Sequence, residues 1–204
     1  MRNAIKVASL AFFLVSLSAG ELNAQYQEWW TAITYQGGLA AGDTKEFTDE
    51  FSWRGLGLEA RTMVKPNVSV GGFVGWNVFK GEEDGTISLG GADVSGFQSR
   101  FVNAVPLLVT AHVYSNSSRR DGMRPYIGGG IGTYWIENRL ELGRTGLEVD
   151  NWHFGLTPEV GFILPAQNQV EGYFSVKYNY AFEAGGLTHS YWTFGIGIAA
   201  SNRF

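Results

Sequence analysis

The 204-residue chain carries a formal net charge of −4 and no cysteine, which excludes a disulfide framework and thiolate chemistry. It has no block of like charge of the kind that would serve a nucleic acid, so no nucleic-acid partner is expected. Glycine supplies 28 residues and aromatics 15% of the chain, while charged residues at 17% fall below the roughly 25% of an ordinary globular protein. That balance suits curved, membrane-facing strands.

The first residues read as a secretory leader: Arg2 and Lys6 give a positive start, Val7 to Leu17 a short apolar core, and small residues follow. The run is too short for the roughly 20 residues of a spanning helix. Cleavage is expected after Ala24, giving a leader over 1–24 and one barrel domain over 25–204. No later apolar stretch is long enough for a helical span, so a protein in the membrane has to cross it with strands.

Eight alternating segments follow. The first five are expected over Glu28–Ala41, Phe51–Val64, Val68–Lys80, Phe97–Ser115 and Tyr126–Leu140. In the third, Val68, Val70, Val74, Trp76 and Val78 share one face against Ser69, Gly71, Gly75 and Asn77. The fifth is hard to orient, because Gly128, Gly129 and Gly130 carry no side chains; Glu137 and Arg139 argue for its odd positions facing inward. The last three are clearest. Trp152, Phe154, Leu156, Pro158, Val160, Phe162 and Leu164 oppose His153, Gly155, Thr157, Glu159 and Gly161; Phe174, Val176, Tyr178, Tyr180 and Phe182 oppose Glu171, Tyr173, Ser175, Lys177 and Asn179; Trp192, Phe194, Ile196 and Ile198 oppose Tyr191, Thr193, Gly195 and Gly197. Period two over so many residues predicts strands with one apolar face. Pro106 and Pro158 fall inside these strands, where the missing N–H predicts bulges.

Turns set the topology. Lys65–Asn67 and Pro165–Asn168 are short, whereas 42–50, 81–96, 141–150 and 183–189 are expected to be the longer extracellular loops. Both termini of an even-stranded barrel then lie on the periplasmic side. The stretch Asn116 to Arg124 fits this register least well. The polar faces carry few charges and many Gly, Ser, Thr and Tyr, as a narrow packed lumen requires, and Trp29, Trp30, Trp53, Trp76, Trp135, Trp152 and Trp192 fall near strand ends, where aromatic girdles meet headgroups. The expected fold is an all-β, antiparallel, eight-stranded up-and-down transmembrane barrel in the outer membrane of a diderm bacterium.

Gly55-Leu56-Gly57-Leu58-Glu59-Ala60-Arg61, Pro66-Asn67-Val68-Ser69-Val70-Gly71 and Pro125-Tyr126-Ile127-Gly128-Gly129-Gly130-Ile131-Gly132 resemble segments of the small outer-membrane barrels related to the OmpA transmembrane domain, OmpX and OmpW. The resemblance spans nearly the whole mature chain. It implies that the terminal Phe204 is an assembly signal read by the barrel-assembly machinery.

Charge inside a narrow barrel has to be paired. Counting from the periplasmic end puts Glu59, Arg61, Glu159, Glu171 and Arg203 in a lower layer and Arg100, Glu137, Arg139 and Lys177 in an upper one. An eight-stranded barrel is just wide enough for its own side chains, so these charges are expected to form a plug rather than an ion path. No metal or other cofactor is expected: His112 and His153 lie at opposite ends, and His189 stands alone in the last loop. His189-Ser190, with Glu183 nearby, is the one pair that resembles a nucleophile and base, but neighbours in a strand point to opposite faces. Residues 81–96, with Glu82, Glu83, Asp84 and Asp93, read as a flexible acidic loop suited to a partner or to divalent ions bridging lipopolysaccharide. The expected protein is a non-enzymatic integral barrel that contacts outer-membrane lipids and lipopolysaccharide. It would serve envelope structure or loop-mediated interaction, including as a subunit of a larger envelope complex. The alternatives are transport of ions or a small solute, and lipid modification.

Overall fold

The computed structural model describes residues 28–89, 92–115, 122–142, 145–165 and 170–201. The expected leader, Arg119 and Arg120, most of the Pro165–Asn168 turn, Arg203 and Phe204 lie outside them. The strands are β1 (Trp29–Ala41), β2 (Gly55–Lys65), β3 (Val68–Leu89), β4 (Ala92–Tyr114), β5 (Arg124–Leu142), β6 (Thr145–Pro165), β7 (Val170–Ala184) and β8 (Leu187–Ser201). Each pairs antiparallel with its sequence neighbour, and β1 also pairs with β8 from Trp30↔Ser201 to Ala41↔Ser190. The sheet therefore closes without an edge. The end holding Trp29 and Ser201 is called the terminal end below, and the opposite one the loop end.

The alternation works as a sorting rule. Ile33, Leu58, Val109, Ile131, Phe154, Val160, Ile196 and Ile198 project outward and are exposed, while Glu59, Arg61, Glu159 and Lys177 point inward and are buried. A soluble barrel would carry its charge outside; an apolar outer wall around a polar interior is the arrangement for a barrel in lipid. Among the described residues no helix is long and apolar enough to cross a membrane, so crossing is left to the strands.

Several expectations are corrected. Residues 81–96 are not a flexible loop: Gly81 to Leu89 pairs with Arg100 down to Ala92, extending the β3–β4 hairpin beyond the barrel wall. Residues 141–150 are likewise mostly strand, paired from Leu142↔Thr145 onward. Alternation is a weak signal in the second of these, where residues 146–150 are all exposed. Residues 183–189 shrink to a tight turn, with Gly185 and Gly186 at φ of 62° and 82°, a backbone region open to glycine. Residues 51–54 are not part of β2. Ser52 instead makes one bridge to Gly38 and Val78 N–H donates to Arg54 C=O at 2.9 Å, so the segment patches the wall above Gly55. Residues 42–47 form a short helix, α1 (Gly42–Phe47).

Pro106 and Pro158 produce no bulge. The β3–β4 ladder skips from Val74↔Leu107 to Asn77↔Ala104 and the β6–β7 ladder from Leu156↔Tyr180 to Glu159↔Lys177, each resuming in the same register. The register shifts fall instead between Met63 and Lys65 and between Ala181 and Ala184, at strand ends. The inward face of β5 is the even one: Tyr126, Tyr134 and Ile136 are buried while Ile127 and Ile131 are exposed. Glu137 and Arg139 misled because they lie toward the loop end, beyond the acyl-chain level, where an outward charge is tolerated. Trp30 is no girdle residue either; it is buried in the lumen.

Candidate functional site

The terminal half of the lumen is built around one guanidinium. The period of β2 turns Glu59 and Arg61 inward, two residues apart on one face. Arg61 Nε donates to Glu59 Oε1 at 2.8 Å and Nη2 to Glu159 Oε1 at 3.2 Å, while Nη1 reaches the Tyr114 hydroxyl at 3.0 Å and Nη2 that of Tyr173 at 3.1 Å. Its plane lies over Trp30 and Tyr126, 4.6 Å from each ring centre, so aromatic faces supply what the carboxylates leave open. Lys177 Nζ sits 3.3 Å from Glu59 Oε2 and 3.5 Å from Glu159 Oε2, and 3.6 Å from the centre of the Phe73 ring. Tyr126 donates to Glu159 Oε1 at 2.6 Å, and His112 Nε2 is 3.1 Å from Glu159 Oε2. Below this, Trp30 Nε1 donates to Glu171 Oε2 at 3.0 Å.

Two carboxylates thus face one guanidinium and one ammonium. Glu59, His112 and Glu159 also bring ligand-type atoms within 4.8 Å of one another, a trio not anticipated when only histidine pairs were sought. Every carboxylate oxygen in it already meets Arg61, Lys177, His112 or a tyrosine, so two protein cations occupy the position a metal ion would need. The residues do not fit a metal site.

Of the nine predicted lumen charges, Glu59, Arg61 and Glu159 meet as expected. Lys177 joins them instead of an upper layer, since it lies opposite Glu159 in the β6–β7 ladder. Glu171 lies one step nearer the terminal end. Arg100 stands apart at the loop end, 5.5 Å over the Phe47 ring. Glu137 and Arg139 are on the outer face, where Asn103 Nδ2 donates to Glu137 at 3.4 Å and Arg139 pairs with Glu141 at 2.7 Å, both side chains of the latter pair being about half exposed. Missed by sequence reasoning were Tyr114, Tyr126, Tyr173 and Trp30 as partners. Their sequence signal was placement on the inward face within a few residues of each strand's terminal end.

The loop half of the lumen is different in kind. Phe79, Val102, Ala104, Leu108, Tyr134, Ile136 and Tyr191 form a buried apolar cluster, against which Phe47 of α1 packs; Phe79 and Tyr191 meet edge to face at 5.1 Å. Between the halves runs a neutral chain in which Tyr134 bonds Thr157, Thr157 Oγ1 donates to Asn179 Oδ1 at 3.0 Å, and Asn179 Nδ2 donates to Thr193 Oγ1 at 3.3 Å. Above it, His189 is not alone in a loop. It is buried in β8, with its ring 5.2 Å from that of His153, Nδ1 3.2 Å from Thr44 Oγ1 and Nε2 3.4 Å from Asn138 Nδ2. The Ser190 N–H donates to Thr44 Oγ1 at 3.0 Å. Both ring nitrogens of His189 therefore face residues other than Ser190, and the pair does not form a nucleophile and base.

No protein-family model matches the sequence, and no curated protein matches it by sequence. Solved structures do. Neisserial surface protein A superposes with a TM-score of 0.53 at 12% identity, over 85% of this chain and 96% of that one. Ail of Yersinia pestis, in complex with the heparin analogue sucrose octasulfate, gives 0.52 at 13% over 86% and 99%. OprG of Pseudomonas aeruginosa gives 0.51 at 13% over 90% and 99%. The chain has the fold of the small eight-stranded outer-membrane β-barrels. At such identities the likeness carries architecture and not activity.

Proposed function

We propose that the chain is an integral, non-enzymatic outer-membrane barrel whose filled lumen makes it a rigid support for its loop-end surface, serving envelope structure or protein contact, including within a larger envelope complex. The observation that carries this reading is the double closure of the lumen, by the Arg61–Glu59–Glu159–Lys177 network at one level and by the Phe79–Tyr191 core under α1 at the other. Solute transport would have to displace both. Purified barrel in planar bilayers is expected to give no steady single-channel current; steady unitary currents would overturn the plug and return transport to first place. Stoichiometric co-purification of a protein from native membranes would identify the envelope partner.

Both termini are proposed to face the periplasm, with contact to lipopolysaccharide and insertion by the barrel-assembly machinery. Because the chain has no cysteine, Glu183→Cys, exposed at the loop end, and Asn67→Cys give single labelling sites at opposite ends. A membrane-impermeant maleimide is expected to label the first on intact cells and the second only after lysis. The polyanion seen with Ail is not carried over. Glu82, Glu83, Asp84, Asp93, Glu141, Glu148 and Asp150 crowd the loop-end hairpins, and an acidic rim repels such a ligand.

A further inference from the structure

A hollow of about 570 Å³ opens on the outer wall near the loop end, between Arg54 and Leu56 on one side and Phe101 and Arg139 on the other. It exists because β2 starts at Gly55 while β3, β4 and β5 continue upward, leaving a step in the wall. Trp53 and Trp76, both exposed, border the step. The size falls in the ~300–1,000 Å³ range of small-ligand sites. The hollow faces sideways, at the aromatic level of the wall, and not into the barrel mouth. Beneath it the outer face continues through Leu58 and Val74, both exposed and apolar.

Its charge is complementary to phosphate. Among the described residues Arg54 has no ion-pair partner, while Arg139 pairs with the half-exposed Glu141 at 2.7 Å and stands opposite the exposed Glu148 in the β5–β6 ladder. Two guanidinium groups against one carboxylate leave the lining net positive, within a loop end that is otherwise acidic. Guanidinium forks match phosphate oxygens, exposed tryptophans mark headgroup depth, and an apolar wall below suits acyl chains. We propose that this hollow seats a phosphorylated, acylated lipid of the outer leaflet, with its phosphate between Arg54 and Arg139 and its acyl chains along Leu58 and Val74. The proposal rests on the outer-membrane residence proposed above.

The test uses the purified barrel in phosphatidylcholine nanodiscs with added diphosphorylated lipid A, the bound lipid being counted by native mass spectrometry. The wild type is expected to retain lipid A, and the double variant Arg54→Ala/Arg139→Ala to lose about tenfold in retention. Lys65→Ala, at the opposite end, is expected to change nothing. A heat-shift gel confirms that each variant is folded. Undiminished retention by the double variant overturns the site, as does equal retention of dephosphorylated lipid A. Displacement by inorganic phosphate also overturns it, by assigning a free-anion site. Loss of the site in a chain that still fractionates with outer membranes leaves the proposed residence standing, whereas a wild-type chain absent from that fraction removes both.

Discussion

The two halves of the lumen fill the same kind of space with opposite chemistry. Toward the terminal end the filling is charged and cross-linked, with Arg61 touching two carboxylates and three tyrosine hydroxyls; toward the loop end it is aromatic and aliphatic, capped by Phe47. Their failure modes should differ accordingly. Removing one member of a charged network strands its partners in low dielectric, whereas trimming an apolar core leaves a cavity that can partly collapse.

The sharpest way to break the comparison is Arg61→Ala, which removes the guanidinium and leaves Glu59 and Glu159 to Lys177, His112 and the hydroxyls of Tyr126 and Tyr173. A loss of about 4 kcal/mol is expected, read as a lowered urea midpoint for the folded band on a heat-shift gel. A loss below about 1 kcal/mol would mean that the network is dispensable filling. Phe79→Ala should cost about 3 kcal/mol through the cavity beside Tyr191 and Val102, measured the same way; if it exceeded Arg61→Ala, the apolar layer would be the principal support. Trp30→Phe keeps the ring under Arg61 and removes only the bond to Glu171. It is expected to cost about 1.5 kcal/mol, with tryptophan emission reporting the altered terminal layer. Arg139→Ala serves as the reference: its half-exposed pair with Glu141 should contribute less than about 0.5 kcal/mol, in contrast to the buried Arg61 pairs. A large effect there would show that ion pairs matter at the surface of this barrel as well as inside it.

The acidic hairpins make a related contrast with the wall beneath them. In β6, Trp152 to Leu164 alternates so regularly that the strand was legible, yet Thr145 to Asp150 was read as loop although it is equally well paired. The difference is physical. Below Trp152 one side of the strand meets lipid and the other the lumen, so composition must alternate. Above it Leu147, Glu148, Val149 and Asp150 are all exposed, and pairing there leaves no mark on polarity. The prolines teach the reverse lesson: Pro106 and Pro158 looked like breaks, but a closed barrel held by its flanking pairs absorbs a missing N–H by skipping two residue pairs without slipping.

From the sequence alone came the eight-stranded closed architecture, the inward faces of β2, β6, β7 and β8, and the placement of Glu59, Arg61 and Glu159 together, because a period of two and the cost of burying unpaired charge leave few alternatives. Tertiary structure decided which strands stand opposite which charges. The register of β6 against β7 carried Lys177 to the lower cluster, the three glycines of β5 concealed the face that puts Glu137 and Arg139 outside, and the inward fold of α1 brought Thr44 to His189. Register and cross-barrel distance are properties of the closed sheet. No local pattern in the chain encodes them, since residues far apart in sequence meet across the lumen, as Lys177 and Glu59 do at a separation of 118 positions.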